Sequence, residues 1–332
     1  MTLHCQPRRA TLAALFGLAL ALTLALGGAA QAQNNYPDKP IHFVVPYPPG
    51  GGTDVIARIV VERFQAALGQ TVIIDNKGGA GGSIGSDLVA KAAPDGYTVL
   101  FTLSSHTINP AILQKLTFDT VRDFEPVGMV ASLPQLLAVN NDVPVKTVAE
   151  LIALARAKPD SLSFASVGNG SPGHLAGELL KLRTGTKMTH IPYRGGGPAV
   201  TDVMGGQVPL LWVSIPAAAQ FVKTGKLRAL AVSTVKRSAA FPDVPTLQEA
   251  GIKDFEVDSW YAMFVPAKTP RAIIDKLNKA LNTVVAEPAI REKLLAQGAE
   301  GVGGTPEALA AVVAAELPRW AKLAKDANIK AE

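Results

Sequence analysis

Of 332 residues only one is cysteine, Cys5. That scarcity excludes a disulfide framework and a structural zinc site of the cysteine type. A strong charge of one sign is also missing: 32 Lys and Arg stand against 27 Asp and Glu, a net charge of +5. With 48% hydrophobic residues, so modest a charge excludes a disordered chain. The basic residues are scattered rather than clustered, which argues against nucleic-acid binding, although a weak positive field suits capture of small anions. Long apolar runs are lacking except for one at the extreme N-terminus, which argues against an integral membrane protein.

That run reads as an export signal. Arg8 and Arg9 precede an apolar stretch over residues 10–26, and Ala30-Gln31-Ala32 supplies the small-x-small pattern expected before cleavage after Ala32. An uncleaved anchor is the alternative. Cys5 precedes the run, so it is no lipid acceptor. Residues 33–332 would lose two arginines and no acid, taking the net charge from +5 to +3. Without cysteine in an oxidising compartment, the fold must rely on its core. About 300 residues bury roughly three quarters of their unfolded surface, which suffices.

Past residue 40 the order is strand, Gly/Pro-rich turn, helix, repeated. Strands are expected over 41–47, 72–74 and 98–103, with helices over 56–68 and 83–92 between them. The order recurs with strands over 162–167, 188–193, 208–213 and 227–233. Thr147 and Glu150 form a capping box for the helix that precedes this second set. Two late helices are expected to open with Thr as N-cap and Pro in the first turn, at Thr269-Pro270 and Thr305-Pro306. The βαβαβ order implies parallel sheets with ligands at the carboxyl ends of the strands. Apolar segments 127–139 and 257–265 are natural crossovers between two α/β lobes. Lobe one is residues 33–131 plus 259–332 and lobe two is 132–258. A single doubly wound sheet with no cleft is the alternative.

Four Gly-rich turns each join a strand to a helix. They hold Gly51, Gly52, Thr53 and Asp54; Gly81, Gly82 and Ser83; Asn169, Gly170 and Ser171; and Gly195 and Gly196 beside Arg194. Glycine lets the backbone approach a ligand, and each following helix N-terminus adds about half a positive charge, so together they suit a carboxylate or phosphate. Residues 168–173 read G-x-G-x-x-G, but no acid ends the next strand to hold a ribose, which counts against a dinucleotide enzyme. There is no P-loop or H-E-x-x-H and no short metal-ligand spacing, and hence no expected cofactor or metal. Ser104, Ser105, His106 and Asn109 follow the third strand, and Ser166 follows its counterpart. Their polar groups are placed to orient an anion, as is His174 at the next helix start. Arg194 is the one permanent cation in these loops and a candidate partner for a carboxylate. Asp54 is expected to cap a helix or, alternatively, to bind a ligand amine.

Taken in order, residues 36–41 (YPDKPI), 46–54 (PYPPGGGTD), 78–85 (GGAGGSIG), 94–97 (PDGY), 106–110 (HTINP), 190–199 (HIPYRGGGPA), 227–233 (LRALAVS) and 242–251 (PDVPTLQEAG) make a specific set. Through them nearly the whole exported chain resembles the Bug-type, or tripartite tricarboxylate transporter, extracytoplasmic solute-binding receptors. The resemblance implies a two-lobed type II periplasmic binding fold, or Venus flytrap. It implies a periplasmic monomer that holds a small organic carboxylate between the lobes, hands it to a two-subunit membrane permease and catalyses nothing. It also implies ligand loops at 47–54, 78–83, 104–109, 166–171 and 194–197, which adds Tyr47 to the candidates. Pro209 and Ser214 depart from the family pattern, which has an acid after Gly-Gln-Val and often Asp or Asn at the second place. A secreted α/β hydrolase or phosphatase, or a receptor signalling to a membrane sensor, are the competing functions.

Overall fold

The computed structural model describes residues 36–113, 115–326 and 329, so the export-signal reading lies outside the described residues. A unit boundary falls between Asp38 and Lys39, and the compact unit that begins at Lys39 carries all that follows. Strands β1 (Ile41–Val45), β2 (Val72–Asn76) and β3 (Thr98–Leu103) lie parallel in the order β2-β1-β3, with helices α1 (Gly52–Leu68) and α2 (Ser83–Ala90) between them. Helix α1 forms because Ile56, Val60 and Phe64 recur at helical spacing and are fully buried. It ends where Gly69 turns left-handed and its N–H reaches the Gln65 carbonyl at 2.9 Å.

Helix α3 (Ser105–Ile112) then leads to the 16-residue strand β4 (Phe124–Val139) and helix α4 (Val148–Ala157). Thr147 caps α4 by accepting the Glu150 N–H at 3.1 Å, but the Glu150 carboxylate turns to the Lys146 N–H, so the expected box closes one residue early. Strands β5 (Ser163–Ser166), β6 (Thr189–Pro192) and β7 (Leu210–Ser214) form the second parallel set, ordered β7-β5-β6. Helices α5 (Pro172–Thr184), α6 (Gly196–Met204) and α7 (Ile215–Lys223) accompany it, followed by β8 (Arg228–Val232) and β9 (Asp258–Pro266). The chain closes with α8 (Arg271–Ala286), α9 (Pro288–Ala296), β10 (Glu300–Gly303) and α10 (Pro306–Asp326).

The two sets are joined through β4. Its Phe124–Pro134 part pairs antiparallel with β9, and its last residues, from Gln135, pair antiparallel with β7 and β8. The full order is β2-β1-β3-β9-β4-β7-β5-β6. Near-continuous burial along β4 and β9 matches their unbroken apolar sequences. Thr305 caps α10 as expected, accepting the Ala308 N–H at 3.2 Å. The other Thr-Pro start is corrected: Pro270 itself is the N-cap of α8, and the Thr269 hydroxyl donates to the Pro266 carbonyl at 2.7 Å.

One buried cluster joins Phe164, Leu175 and Trp212 to Ile108 and Ile112 of α3 and to Trp320, Ala324 and Ile329. Side chains of this size contribute roughly 1.5–3 kcal/mol each when fully buried. The end of α10 therefore packs on the second sheet. Its Glu316 carboxylate accepts from Thr107 Oγ1 at 2.6 Å, Trp260 Nε1 at 3.1 Å and Trp320 Nε1 at 3.3 Å.

At the start of β9, Asp258 has one carboxyl oxygen buried without a partner. Burial, reinforced by Glu256, lifts its pKa to about 6 against a weaker pull from Arg319. The folded protein thus keeps this proton where the unfolded chain has released it, and the stability present below pH 4 is lost as pH rises to about 6. Asp258→Asn is expected to raise unfolding stability at pH 8 by about 1–2 kcal/mol, allowing for solvent screening, and to change little at pH 4. Urea titrations at the two pH values check this; an equal gain at both would contradict it.

Candidate functional site

A narrow cavity lies where the two sets of strands meet β4 and β9. Tyr47, Gly51, Gly52, Thr53 and Leu103 line it from one side, Val167, Pro172, Gly196 and Ser214 from the other, with Gln135 and Ser259 from the shared strands. None of these side chains is charged. The first turns of α1, α6 and α7 reach the cavity through Gly52 and Thr53, Gly196, and the N-cap Ser214. None of the three has a side-chain cap. Their leading N–H groups, Pro216 having none, are therefore left without a side-chain acceptor beside the cavity, where the positive ends of their dipoles lie. Helix α5, which also reaches it through Pro172, is capped by Ser171, whose Oγ accepts the His174 N–H at 3.2 Å.

The walls stand close enough to require glycine. A methyl group on Gly52 would lie 2.4 Å from Ser214 Oγ and 2.7 Å from the Tyr261 hydroxyl. These two hydroxyls are 3.1 Å apart. The Tyr47 hydroxyl meets Ser105 Oγ and donates to the Gly81 carbonyl at 3.2 Å. Burial pushes both phenols up, so each stays an un-ionised donor.

The other two Gly-rich turns meet each other rather than line the cavity. A methyl group on Gly81 would lie 2.1 Å from the Asn169 carbonyl oxygen, and one on Gly170 1.9 Å from Asn109 Oδ1. Asn109 Nδ2 donates to the Gly81 carbonyl at 3.1 Å, while its Oδ1 is buried without a partner. Gly195 packs on Pro48 in the same way. The four glycine turns thus meet in pairs, the 48–52 turn with 195–196 and the 78–82 turn with 168–170.

Several expected site residues sit elsewhere. His106 is corrected: its ring is 1% exposed and packed among Phe118, Phe124 and Phe264, with centroids 4.6–6.2 Å away. Burial lowers its pKa to about 3, so it is a neutral core residue and no anion donor. The Asp54 carboxylate is likewise spent inside its own lobe. It accepts from Arg58 Nε at 2.8 Å, the Gly50 N–H at 2.9 Å and Asn76 Nδ2 at 3.1 Å. Burial works against this charge, but those donors outweigh it and hold the carboxyl below its ordinary value. Asp54 therefore props the 50–52 turn instead of reaching a ligand amine.

Arg194 is exposed and outside the cavity lining, so it is not placed to pair with a carboxylate there. Ser83 Oγ donates to the Ala80 carbonyl at 2.8 Å and is spent locally. Ser166, Gly170 and Ser171 bond within their own lobe, and the Ser104 hydroxyl lies 3.3 Å from that of Ser259. Gln135 and Ser259 were missed. Their signal was a polar residue interrupting an apolar crossover strand.

The fold and crevice define a two-lobed periplasmic solute-binding protein of the type II kind. Residues 56–329 match the model of the tripartite tricarboxylate transporter family receptor, and the chain belongs to that family. It is 39% identical to Protein BugT of Bordetella pertussis over 90% of this chain and 92% of that protein. Among solved structures, the periplasmic binding protein BugD superposes with a TM-score of 0.86 at 37% identity, covering 90% of this chain and all of that one. A Rhodopseudomonas palustris protein with adipate gives 0.87 at 37% identity, over 89% and 99% of the two chains. MatC from the same organism, with bound malate, gives 0.83 at 32% identity, over 87% and 99%. The family is one of solute-binding receptors rather than enzymes, and its members are periplasmic.

Proposed function

We propose that the chain, exported and cut after Ala32, is a receptor that closes on a small organic carboxylate and delivers it to a two-subunit membrane permease without catalysis. Residues 33–131 with 259–332 form one lobe and residues 132–258 the other, with the end of α10 riding on the second. The carrying observation is the convergence of three uncapped helix N-termini on a cavity without a charged side chain. Each terminus supplies about half a positive charge, about +1.5 together, which suits a dianion. Adipate and malate, the ligands of two relatives, are both dicarboxylates.

Thermal-shift measurements with mono-, di- and tricarboxylates test the reading. Dicarboxylates are expected to raise the melting temperature most. A rise with neutral sugars and none with any carboxylate would end the proposal. One contact favours a hydrolase instead: Ser166 Oγ lies 2.7 Å from His190 Nε2. Against it, Ser166 is fully buried and its hydroxyl is also engaged by Gly168 and Ser171. Turnover of simple esters, abolished by Ser166→Ala, would reverse that judgement.

A further inference from the structure

Behind the 168–171 turn two histidines stack. The rings of His174 and His190 are 3.9 Å apart between centroids and inclined by 9°, and Phe164 also stacks on His190 at 4.9 Å. Both rings hold the turn. His174 Nδ1 accepts the Gly170 N–H at 3.4 Å, and His190 Nε2 shares a hydrogen bond with Ser166 Oγ. Ser166 Oγ in turn accepts the Gly168 N–H at 3.2 Å and the Ser171 hydroxyl at 3.3 Å. The Gly170 N–H, and through Ser166 the Gly168 N–H and the Ser171 hydroxyl, thus lead to one imidazole or the other. The turn is also the one that meets Gly81 and Asn109 across the crevice.

We infer that His174 and His190 are positioning residues, an uncharged imidazole pair that fixes the lobe-two turn in the shape required for the lobes to close. A proton on His174 Nδ1 would remove the acceptor of a buried N–H, and leaving such a group unpaired costs about 1–3 kcal/mol. A proton on both rings would set two like charges face to face. The surroundings oppose charge as well. Lys181, on the same helix as His174, lies near both rings, and its ammonium is paired with Glu178 at 2.8 Å. Burial first, then these neighbours, lowers His174 to about 4 and His190 to about 2. The inference rests on the receptor reading only for its effect on ligand binding; the shape of the turn can be tested without ligand.

Nitrogen-15 spectra of the purified protein and amide exchange at Gly170 provide the test. At pH 7, His174 is expected to carry its proton on Nε2 with Nδ1 bare, and neither ring is expected to titrate between pH 8 and 5.5. His174→Leu should speed Gly170 exchange at least about tenfold by removing its acceptor. His174→Asn, whose Oδ1 replaces Nδ1 as acceptor, should stay within about threefold of the wild type. A proton on Nδ1, a titration midpoint above 6, or unchanged Gly170 exchange in His174→Leu would overturn the inference. If His174→Leu fails to fold, the wild-type tautomer and the His174→Asn exchange rate still decide. Adipate affinity at pH 7 is expected to fall about tenfold in a folded His174→Leu and to hold in His174→Asn. Failure of adipate to bind the wild type would count against the receptor reading alone.

Discussion

Replacing Gly81 by alanine is expected to weaken carboxylate binding roughly thirty- to a hundredfold while costing only about 1 kcal/mol of stability. The two effects have different origins. Gly81 has φ +63, where any residue with a Cβ is strained in every state of the protein. The added methyl also lies 2.1 Å from the Asn169 carbonyl, and that conflict exists only while the two turns touch. Relieving it by moving backbone apart costs about 2–3 kcal/mol, all of it charged against closure. Gly69 supplies the control, because it has φ +71 and nothing within 4 Å of an added methyl. Gly69→Ala should lose similar stability and no affinity. Calorimetric titration of both variants with the best carboxylate from the thermal-shift series reads the difference. Equal affinities for Gly81→Ala and Gly69→Ala would show that closure does not bring these turns together.

Acid is expected to unfold the protein early. His106, His174 and His190 are held neutral with pKa values of about 3, 4 and 2, whereas an unfolded histidine takes a proton near 6.5. Folded-state values below the unfolded one mean that this stability is whole above pH 6.5 and drains as pH falls. Each histidine then costs about 2 kcal/mol between pH 8 and pH 5, about 6 kcal/mol for the three. Protonation of Asp258 returns only about 1–2 kcal/mol over the same interval. Domains are stable by about 5–15 kcal/mol, so the loss is a large share of the whole. Denaturant midpoints from pH 8 to pH 5 should fall steadily. His106→Leu should remove about a third of the slope and gain about 1–3 kcal/mol at pH 8 by deleting two unpartnered ring nitrogens. A flat profile from pH 7 to pH 5 would refute the neutral buried rings.

The strand and helix order was legible because apolar runs, glycine turns and a threonine cap before α10 all agree locally. Helix α3 was not. Its sequence Ser105-His106-Thr107-Ile108-Asn109-Pro110 is polar with proline inside, and it is held by tertiary contacts to α10. For the same reason His106 looked like a binding residue. The phenylalanines that enclose it come from residues 118, 124 and 264, which no local pattern joins to residue 106. The cavity-lining turns of α1 and α6 could be read because glycine before a helix is a local signal. That Asp54 and Arg194 stay out of the cavity depends on side-chain direction, which spacing does not encode. Ser166 and Ser171 are absorbed by a histidine stack assembled from separate elements.

Strand β4 passes without interruption from one pairing set to the other, and Pro134 stands at the point of passage with no N–H to give a neighbour. On the two-lobe reading proposed above, halves that share a continuous ribbon do not swing apart like leaves on loose tethers. They must bend the ribbon itself, so opening is resisted by a restoring force that grows with angle. On that reading the protein opens as a sprung jaw, held back by the flexing of β4 and by the end of α10 packed on the second set of strands.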